Sequence, residues 1–289
     1  MQEIDGRLAD SAAGRIFALD EAAVREAAGE LAEAVESHGL PAVLADAEAP
    51  LTAFLAAAFT LSPFLHDTFR SRPDLLCGID KPIGPQIEAE IEKARTAWIA
   101  EGGSQGDGEI MTRLRQSKQR VAFLTALADL GGIFTAEVTT DLLSRFAAAA
   151  VAATLDHLLV SAAGEGKIRL LSSEDPSENS GVVVLGMGKL GANELNYSSD
   201  IDIVVFFEPE AGIIIDPDDA RELFPRLMRR LVRILQERTG DGYVFRTDLR
   251  LRPDPGSTPL AIPVEAALIY YESRGQNWER AAYIKARPI

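Results

Sequence analysis

The segment Val182–Glu208, which reads VVVLGMGKLGANELNYSSDIDIVVFFE, predicts an apolar strand, a glycine-rich turn, a polar connection and a second apolar strand. Asp200 and Asp202 open the second strand. Because alternate side chains of a strand lie on one face, their carboxylates are expected to be close together. Two like charges so placed repel each other, and bound divalent cations remove that repulsion. The pair therefore predicts a metal site of the kind that supports phosphoryl or nucleotidyl transfer.

The composition limits the classes of function. A chain of 289 residues is long enough to bury a large core and to form two domains. Its net charge of −15 argues against non-specific binding to nucleic acid or to an anionic membrane. The only cysteine is Cys77, which excludes an intrachain disulfide and a cysteine-rich zinc site. No signal peptide is evident, and the longest apolar tract, Phe146–Leu155, is too short to span a bilayer, so we predict a cytoplasmic protein.

Residues 1–170 predict a helical N-terminal region without a catalytic motif of its own. Apolar residues at helical spacing indicate helices at Leu19–Ser37, Leu51–Phe59, Phe64–Arg70, Ile87–Ala100 and Ile110–Leu130, and a last helix that Thr139–Asp141 caps and that runs to about Ala163. Lys81–Pro85 is expected to be a break and Gly102–Gly108 a flexible loop. His38, His66 and His157 are separate from one another and from any acidic cluster in the sequence, so we interpret them as surface or satisfied core residues.

The predicted helix Ile110–Leu130 concentrates basic charge in its first half, at Arg113, Arg115, Lys118 and Arg120. A solvated face is one interpretation of this pattern. Contact with an anionic ligand held by the following domain is the other, and the sequence leaves both open.

The segment Ser172–Gly181 is rich in Ser, Glu, Asp and Pro and predicts a linker, so we place the domain boundary between residues 170 and 171. Residues 171–289 are then mixed in character. Beyond the opening segment the pattern predicts a helix from Asp216–Pro217 that Pro225 kinks or divides, strands at Tyr243–Arg252 and Leu260–Ile262, and helices at Val264–Ser273 and Gln276–Ala286. The chain stops at Ile289 without a stop signal, which we interpret as a C-terminal truncation of a longer protein.

The predicted strand at residues 243–252 presents one carboxylate among arginines on a single face: Arg246, Asp248, Arg250 and Arg252. A surface ladder of salt bridges is one interpretation. Beside the strand of Asp200 and Asp202, however, Asp248 becomes a third metal ligand surrounded by arginines suited to phosphate. We favour this second interpretation.

Three known patterns compete for the glycine-rich turn. Gly186–Gly191 matches the G-x-G-x-x-G pattern of dinucleotide-binding folds, but the connection from Gly191 to Asp200 is too short for the crossover helix of those folds. A P-loop is excluded because Leu190, rather than Ser or Thr, follows Lys189. The third pattern is that of a nucleotidyltransferase, in which the amides and a cation of the turn hold phosphates and three carboxylates on neighbouring strands hold the metal.

At these residues the chain resembles the nucleotidyltransferase superfamily of DNA polymerase β, although Lys189 stands where Ser is commoner. More specifically, GMGKLGANELNYSSDIDIVVFFE, VFRTDLRLRPD and YYESRGQNWERAAYIKARPI, in that order within Gly181–Ile289, resemble bacterial glutamine synthetase adenylyltransferases. LRQSKQRVAFLTALADLGG is similar to the region ahead of that family's catalytic domain. The resemblance implies an α+β fold, in which a polymerase β-like domain with a small mixed sheet follows a helical bundle.

The family carries two tandem nucleotidyltransferase domains, of which the N-terminal one removes AMP from a tyrosine of glutamine synthetase and the C-terminal one adds it. The form ELNYSSDID resembles the N-terminal half. The resemblance therefore implies phosphorolysis, in which orthophosphate attacks the adenylyl phosphorus and yields ADP and free tyrosine, with Asp200, Asp202 and Asp248 as ligands of two Mg²⁺ or Mn²⁺ ions. It also implies control of nitrogen assimilation, with the PII signal protein and glutamine as regulators of the full-length enzyme.

The resemblance also implies a phosphate-binding set. Lys189 and the backbone amides of Gly188 and Leu190 would bind phosphate oxygens, and Arg250 and Arg252 would clamp the phosphate.

The W-E-R…K-A-R segment of the family is matched by Trp278, Glu279 and Lys285, to which the resemblance assigns no role; we expect Trp278 to be a packing residue. Two other functions remain open. ATP-dependent transfer of AMP onto the glutamine synthetase tyrosine would use the same metal site. A non-catalytic module that docks glutamine synthetase or a PII-type protein is the second alternative, and the three carboxylates argue against it.

Overall fold

The computed structural model describes residues 6–99 and 106–289. Its α-helices are α1 (Leu8–Ser11), α2 (Glu21–His38), α3 (Pro50–Leu61), α4 (Pro63–Ser71), α5 (Ile83–Arg95), α6 (Asp107–Leu130), α7 (Ala136–Gly164), α8 (Gly188–Gly191), α9 (Pro217–Gln236), α10 (Val264–Ser273) and α11 (Asn277–Ala282). Short 3₁₀ helices cover Ala42–Ala45, Pro73–Leu76 and Tyr283–Lys285. The helices before residue 170 and the sheet after it confirm the predicted α+β class.

The sheet is small and mixed. Its strands are β1 (Val182–Gly186), β2 (Ile201–Phe207), β3 (Thr247–Asp248), β4 (Ala261–Pro263) and β5 (Arg287–Pro288), in the order β3-β2-β1-β5, with β4 also paired to β2. β1 runs antiparallel to β2 from Val182↔Phe207 to Gly186↔Ile203. β3 and β4 are both parallel to β2 and pair with its beginning and its end, respectively.

One face of β2 belongs to the core. Ile201, Ile203 and Val205 are completely buried, and the ring of Phe207 lies 4.7 Å from that of Phe224 on α9. Because strand side chains alternate, Asp202 lies on the opposite face. The apolar alternation of β2 thus fixes where its carboxylate points.

The described chain divides into two compact units, Met1–Glu90 with Gln119–Leu142, and Ile91–Lys118 with Leu143–Ile289. These units divide the chain at different places from the predicted boundary at residue 170, because α6 and α7 each contribute to both. The predicted linker lies within the second unit. There the Ser177 amide donates to a carboxylate oxygen of the buried Asp156, at 3.0 Å, and Ser180 is buried.

Gly39, as a stop signal after the first predicted helix, and Ser62-Pro63, as a cap and first residue before the third, mark helix ends correctly. Gly39 ends α2 in the left-handed conformation, with φ +66°. The sequence pattern predicts the start of α2 at Leu19, whereas Asp20 caps the helix by accepting from two backbone amides. Ser62 caps α4 by accepting from the Leu65 amide, with Pro63 as the first helical residue. The predictions at α3 and α10 are also confirmed.

Other boundaries differ from the predictions. The break predicted at Lys81–Pro85 is wrong from Ile83 onward, because Pro85 lies in the first turn of α5, where backbone amides have no helical acceptor in any case. α7 begins at Ala136, ahead of the predicted Thr139–Asp141 cap, and the Thr135 hydroxyl accepts from the Val138 amide instead. The predicted loop at Gly102–Gly108 lies mostly outside the described residues.

Two predictions after β2 have mixed outcomes. α9 is one helix that includes Pro225, which excludes the division into two short helices and leaves the alternative of a kink. The predicted strand Tyr243–Arg252 is wrong in length, because it is reduced to the two residues of β3, followed by turns. β3 pairs with Ile201 and Asp202, and β4 pairs with Val205–Phe207 further along the same edge of β2, which limits the length of β3.

Within the described residues, α7 is the one helix that is long and apolar enough to cross a membrane by length and composition. About 72% of its most apolar window is buried inside the protein. The apolar tract predicted at Phe146–Leu155 is therefore part of a longer helix.

Candidate active site

The parallel pairing of β2 and β3 brings two of the predicted carboxylates side by side. Asp202 and Asp248 are direct partners in the register, next to the pair Ile201 and Thr247. Neighbouring strands lie about 4.8 Å apart, so these carboxylates belong to one site. Asp200 precedes β2 by one residue, and its charge acts on Asp202. The Gln236 side chain at the end of α9 holds β3 in place by accepting from the Thr247 amide at 3.1 Å.

Arginines hold two of the three carboxylates. Arg246 donates to Asp200 through Nε and to the Ser198 carbonyl at 3.2 Å. Arg250 forms a two-point pair with Asp248, with Nη2 at 2.5 Å and Nε at 2.8 Å from Oδ2. The Arg250 amide also donates to Asp248 Oδ1 at 2.8 Å. These contacts hold the pKa of Asp248 below its ordinary value, mainly through the hydrogen bond from the Arg250 guanidinium.

Asp202, unlike Asp200 and Asp248, is not paired with an arginine. It is half-buried, and within the described chain its carboxylate has no hydrogen-bond or ion-pair partner. Burial raises its pKa, and the neighbouring charges of Asp248 and Asp200 add to that effect. Asp202 is therefore the carboxylate of the three that would gain most from a bound cation.

The donor set suits a divalent cation, since hard cations such as Mg²⁺ prefer carboxylate oxygens. Residues 6–99 and 106–289 contain no group of three or more His, Cys, Asp or Glu side chains arranged to hold a metal ion. The two ion pairs explain this result, because Asp200 and Asp248 are turned toward Arg246 and Arg250. The residues thus fit the ion in chemistry, while their present arrangement favours arginine.

The glycine-rich turn lies against Asp202. The Met187 amide donates to the Asp202 carbonyl at 2.8 Å, and Gly188 follows with φ +53°. A β-carbon on Gly188 would lie 3.3 Å from Asp202 Oδ2, so a larger residue would meet the carboxylate and strain the backbone. Lys189 is exposed, and its ammonium has no partner among the described residues. The predicted phosphate-binding residues Gly188, Lys189 and Leu190 therefore lie next to the carboxylates.

Residues 285–287 hold the glycine-rich turn and the residues after it through an ion pair and hydrogen bonds. Lys285 pairs with Glu194 at 2.7 Å, and Arg287 donates to Asn193 Oδ1 at 2.6 Å and to the carbonyls of Leu190 and Gly191. The sequence assigned no role to Lys285 and did not single out Arg287. Both act by positioning the turn.

Glu279 and Trp278 have separate outcomes. Glu279 is buried, completes a capping box with Gln276 and accepts from the Tyr270 hydroxyl at 2.9 Å, which makes it a structural residue. Trp278 is 59% exposed, so the expectation that it packs in the core is wrong.

Arg252 does not lie with the other arginines. It is buried, and its guanidinium donates to the backbone carbonyl of Leu249, which precedes it, and to those of Pro255, Thr258 and Pro259 in the following loop. All three of its guanidinium nitrogens donate to backbone carbonyls. The prediction that Arg252 clamps phosphate therefore does not fit this structure.

Two of the four basic residues of α6 have a structural role. Arg115 is completely buried and donates to the carbonyls of Met111, Glu237 and Gly242. Lys118 lies 4.6 Å from the ring centre of Tyr243, and burial lowers its pKa to about 8. Arg113, by contrast, is partly exposed and pairs with Glu109 one turn earlier, at 2.6 Å, as on a solvated face.

Sequence reasoning also missed a partly buried cluster of charged residues around Asp107. Asp107 accepts from His157 Nε2 at 2.9 Å and from Arg230 at 2.8 Å, and it pairs with Arg233. His157 is therefore satisfied, as predicted, but by an acidic residue far away in sequence. His66 similarly pairs with Glu30, at 2.7 Å.

Comparisons with known proteins agree with this geometry. The family model described as glutamate-ammonia ligase adenylyltransferase matches residues 52–289. Among curated relatives, the bifunctional glutamine synthetase adenylyltransferase/adenylyl-removing enzyme of Rhizobium meliloti (strain 1021) is 58% identical over the whole chain and 30% of its own length. The protein of the same description from Agrobacterium fabrum is 56% identical, over the whole chain and 29% of its own length. The chain thus spans about 30% of the length of these relatives.

Proposed function

Because the chain belongs to the glutamate-ammonia ligase adenylyltransferase family, we propose that it is a metal-dependent nucleotidyltransferase domain that acts on glutamine synthetase. Its reaction is the removal of AMP from an adenylylated tyrosine by phosphorolysis. The observation that carries the proposal is the register of β2 and β3, which sets Asp202 beside Asp248 and next to the glycine-rich turn. The names of the curated relatives support glutamine synthetase as the substrate, and the adenylyl-removing activity is one of the two reactions that they name.

In this reaction an oxygen of orthophosphate bonds to the adenylyl phosphorus while the bond from that phosphorus to the tyrosine oxygen breaks. The products are ADP and tyrosine, and the proton of the attacking phosphate passes to the tyrosine oxygen. Proteins of this superfamily generally use divalent metals. Such an ion, held by Asp200, Asp202 and Asp248, would neutralise charge that builds up on the phosphoryl oxygens. We propose Mg²⁺ or Mn²⁺, with two ions bound.

The chain's own residues supply the remaining binding groups. The Lys189 ammonium, which has no partner among the described residues, can meet a phosphate oxygen, and the amides of Gly188 and Leu190 lie in the same turn. Arg250 is exposed beside Asp248 and can reach phosphate with both arms of its guanidinium. We leave Arg252 out of this set because the loop carbonyls use its donors.

The experiment that tests the proposal incubates the chain with adenylylated glutamine synthetase, Mg²⁺ and ³²P-labelled orthophosphate. Phosphorolysis predicts labelled ADP, formed in proportion to the tyrosine released and only when phosphate is present. Hydrolysis would give unlabelled AMP and would contradict the proposal. Asp202→Asn and Asp248→Asn should abolish the labelled ADP, whereas Glu208→Gln, which removes an exposed carboxylate just beyond the far end of β2, should not.

The forward reaction, transfer of AMP from ATP to glutamine synthetase, is the second candidate because the names of the relatives include adenylyltransferase activity as well. Unmodified glutamine synthetase with [α-³²P]ATP distinguishes the two, since only the forward reaction labels the protein. If neither reaction occurs and glutamine synthetase still binds, a docking module is the function. Regulation of the full-length protein by PII and glutamine, and a cytoplasmic location, remain part of this proposal.

A further inference from the structure

The state of the three carboxylates suggests what the neighbouring arginines do. Arg246 and Arg250 neutralise Asp200 and Asp248, whereas Asp202, between them in the site, keeps an unpaired carboxylate. Guanidinium groups therefore occupy two of the carboxylates that the proposed function needs as cation ligands. Arginine and a divalent cation cannot both take the same carboxylate oxygens.

Packing does not hold the two arginines in place. The side chain of Arg250 is 84% exposed and that of Arg246 58%. Water screens ion pairs whose guanidinium is this exposed, and forming them orders a long side chain, so they are weaker than buried pairs. Of the two carboxylates, Asp200 is 48% exposed and Asp248 20%. Arg252, two residues after Arg250, shows the contrasting case of a guanidinium fixed by buried carbonyls.

We propose that Arg246 and Arg250 are exchangeable counter-ions, which leave Asp200 and Asp248 when a divalent cation binds and then bind the phosphoryl oxygens of the substrate. The inference rests on the proposed metal-dependent function and adds a coupling to it. Phosphate gives the displaced guanidiniums a new partner, so each ligand favours the binding of the other. Such coupling is reciprocal, and phosphate must raise the affinity for the cation by the same factor as the cation raises the affinity for phosphate.

The test measures Mn²⁺ binding to the full 289-residue chain by electron paramagnetic resonance of free Mn²⁺ at constant ionic strength. Titrations are made with and without inorganic phosphate and are corrected by a protein-free titration for Mn²⁺ that phosphate itself binds. The variants are Arg246→Gln and Arg250→Gln. Arg229→Gln, an exposed arginine on α9 without a carboxylate partner among the described residues, is the control for the same change in net charge.

Without phosphate, both site variants should bind Mn²⁺ about twofold to fivefold more tightly than the Arg229→Gln control, since a competitor for the carboxylate is lost. With phosphate, the wild type should gain about fivefold or more in Mn²⁺ affinity, and the site variants should lose most of that gain. Site variants that match the control in both conditions would overturn the inference while leaving the proposed function intact. A wild type that binds no Mn²⁺ would overturn both.

Discussion

Gly191 offers the sharpest test of how the chain end supports the glycine-rich turn. A β-carbon on this residue would lie 1.9 Å from the Lys285 carbonyl oxygen and 2.4 Å from that of Gly186. Carbon–oxygen contacts below 3.0 Å are essentially never seen, so Gly191→Ala must move the backbone of one neighbour by about 1 Å. Both neighbours are backbone atoms, and neither can yield by a rotamer change.

Overpacking of this kind costs about 1–3 kcal/mol, and rigid backbone neighbours place Gly191→Ala at the upper end or beyond. The φ of Gly191 is ordinary, so the whole effect is steric. In a unit of this size a cost of about 3 kcal/mol lowers the melting temperature by about 6–12 °C. Because the displaced segment carries Lys285 and Arg287, the variant should also lose nucleotidyl transfer before it unfolds.

Differential scanning calorimetry measures the shift, and Gly212→Ala is the matched control in the same unit. Gly212 has open space around the position of a β-carbon and an ordinary φ. The melting temperature of the Gly212→Ala variant should therefore differ from that of the wild type by less than about 1 °C. If Gly191→Ala melts within that range of the wild type, the close packing of the chain end on the turn is refuted.

Three further variants test other parts of the second unit. Burial acts to raise the pKa of Asp107. The hydrogen bonds from Arg230 and His157 outweigh that effect and lower the pKa to about 2. Asp107→Asn should therefore lose about 2–4 kcal/mol in urea unfolding at pH 7, and the difference should shrink as pH falls from 3.8 toward 2. Burial lowers the pKa of Lys118 from 10.5 to about 8, so the folded protein gains stability as the ammonium loses its proton. In urea unfolding the wild type should therefore gain stability relative to Lys118→Met as pH rises from 8 to 10.5. Parallel curves of unfolding free energy against pH for the two proteins would contradict the burial of Lys118. Arg252→Gln should cost about 1–3 kcal/mol of unfolding free energy by leaving backbone carbonyls without donors, whereas Arg250→Gln, at an exposed position, should leave stability close to that of the wild type and impair phosphate use.

The parts of the fold that the sequence predicted correctly are those fixed by local signals. Ser62 and Gly39 act on amides or carbonyls within a few residues, so their patterns suffice to place helix ends. The alternation of side chains along β2 likewise places Asp202 on the face opposite Ile201 and Ile203. These features need no knowledge of distant partners.

The predictions that failed concern residues whose partners lie far away in the sequence. Arg115 donates to carbonyls of Glu237 and Gly242, which follow it by 122 and 127 residues, and no local pattern distinguishes such an arginine from a solvated one. The predicted strand around Asp248 alternates well, but its length is set by how much of the β2 edge β4 leaves open. The pairing of Asp200 with Arg246 also depends on how two separate segments meet.

The loop between β3 and β4, which Arg252 holds through its carbonyls, offers a position for a fluorescent label. β3 and β4 both pair with the same edge of β2, so the two ends of the loop between them are fixed to the sheet. Its tip at Gly256 is exposed, and a side chain there would meet almost nothing. With the exposed Cys77 replaced by serine, Gly256→Cys could therefore carry a fluorophore without disturbing the sheet, in the loop that follows Asp248. Such a label would report the binding of ligands at the carboxylates in real time, which the proposed reaction, without an optical signal of its own, does not allow.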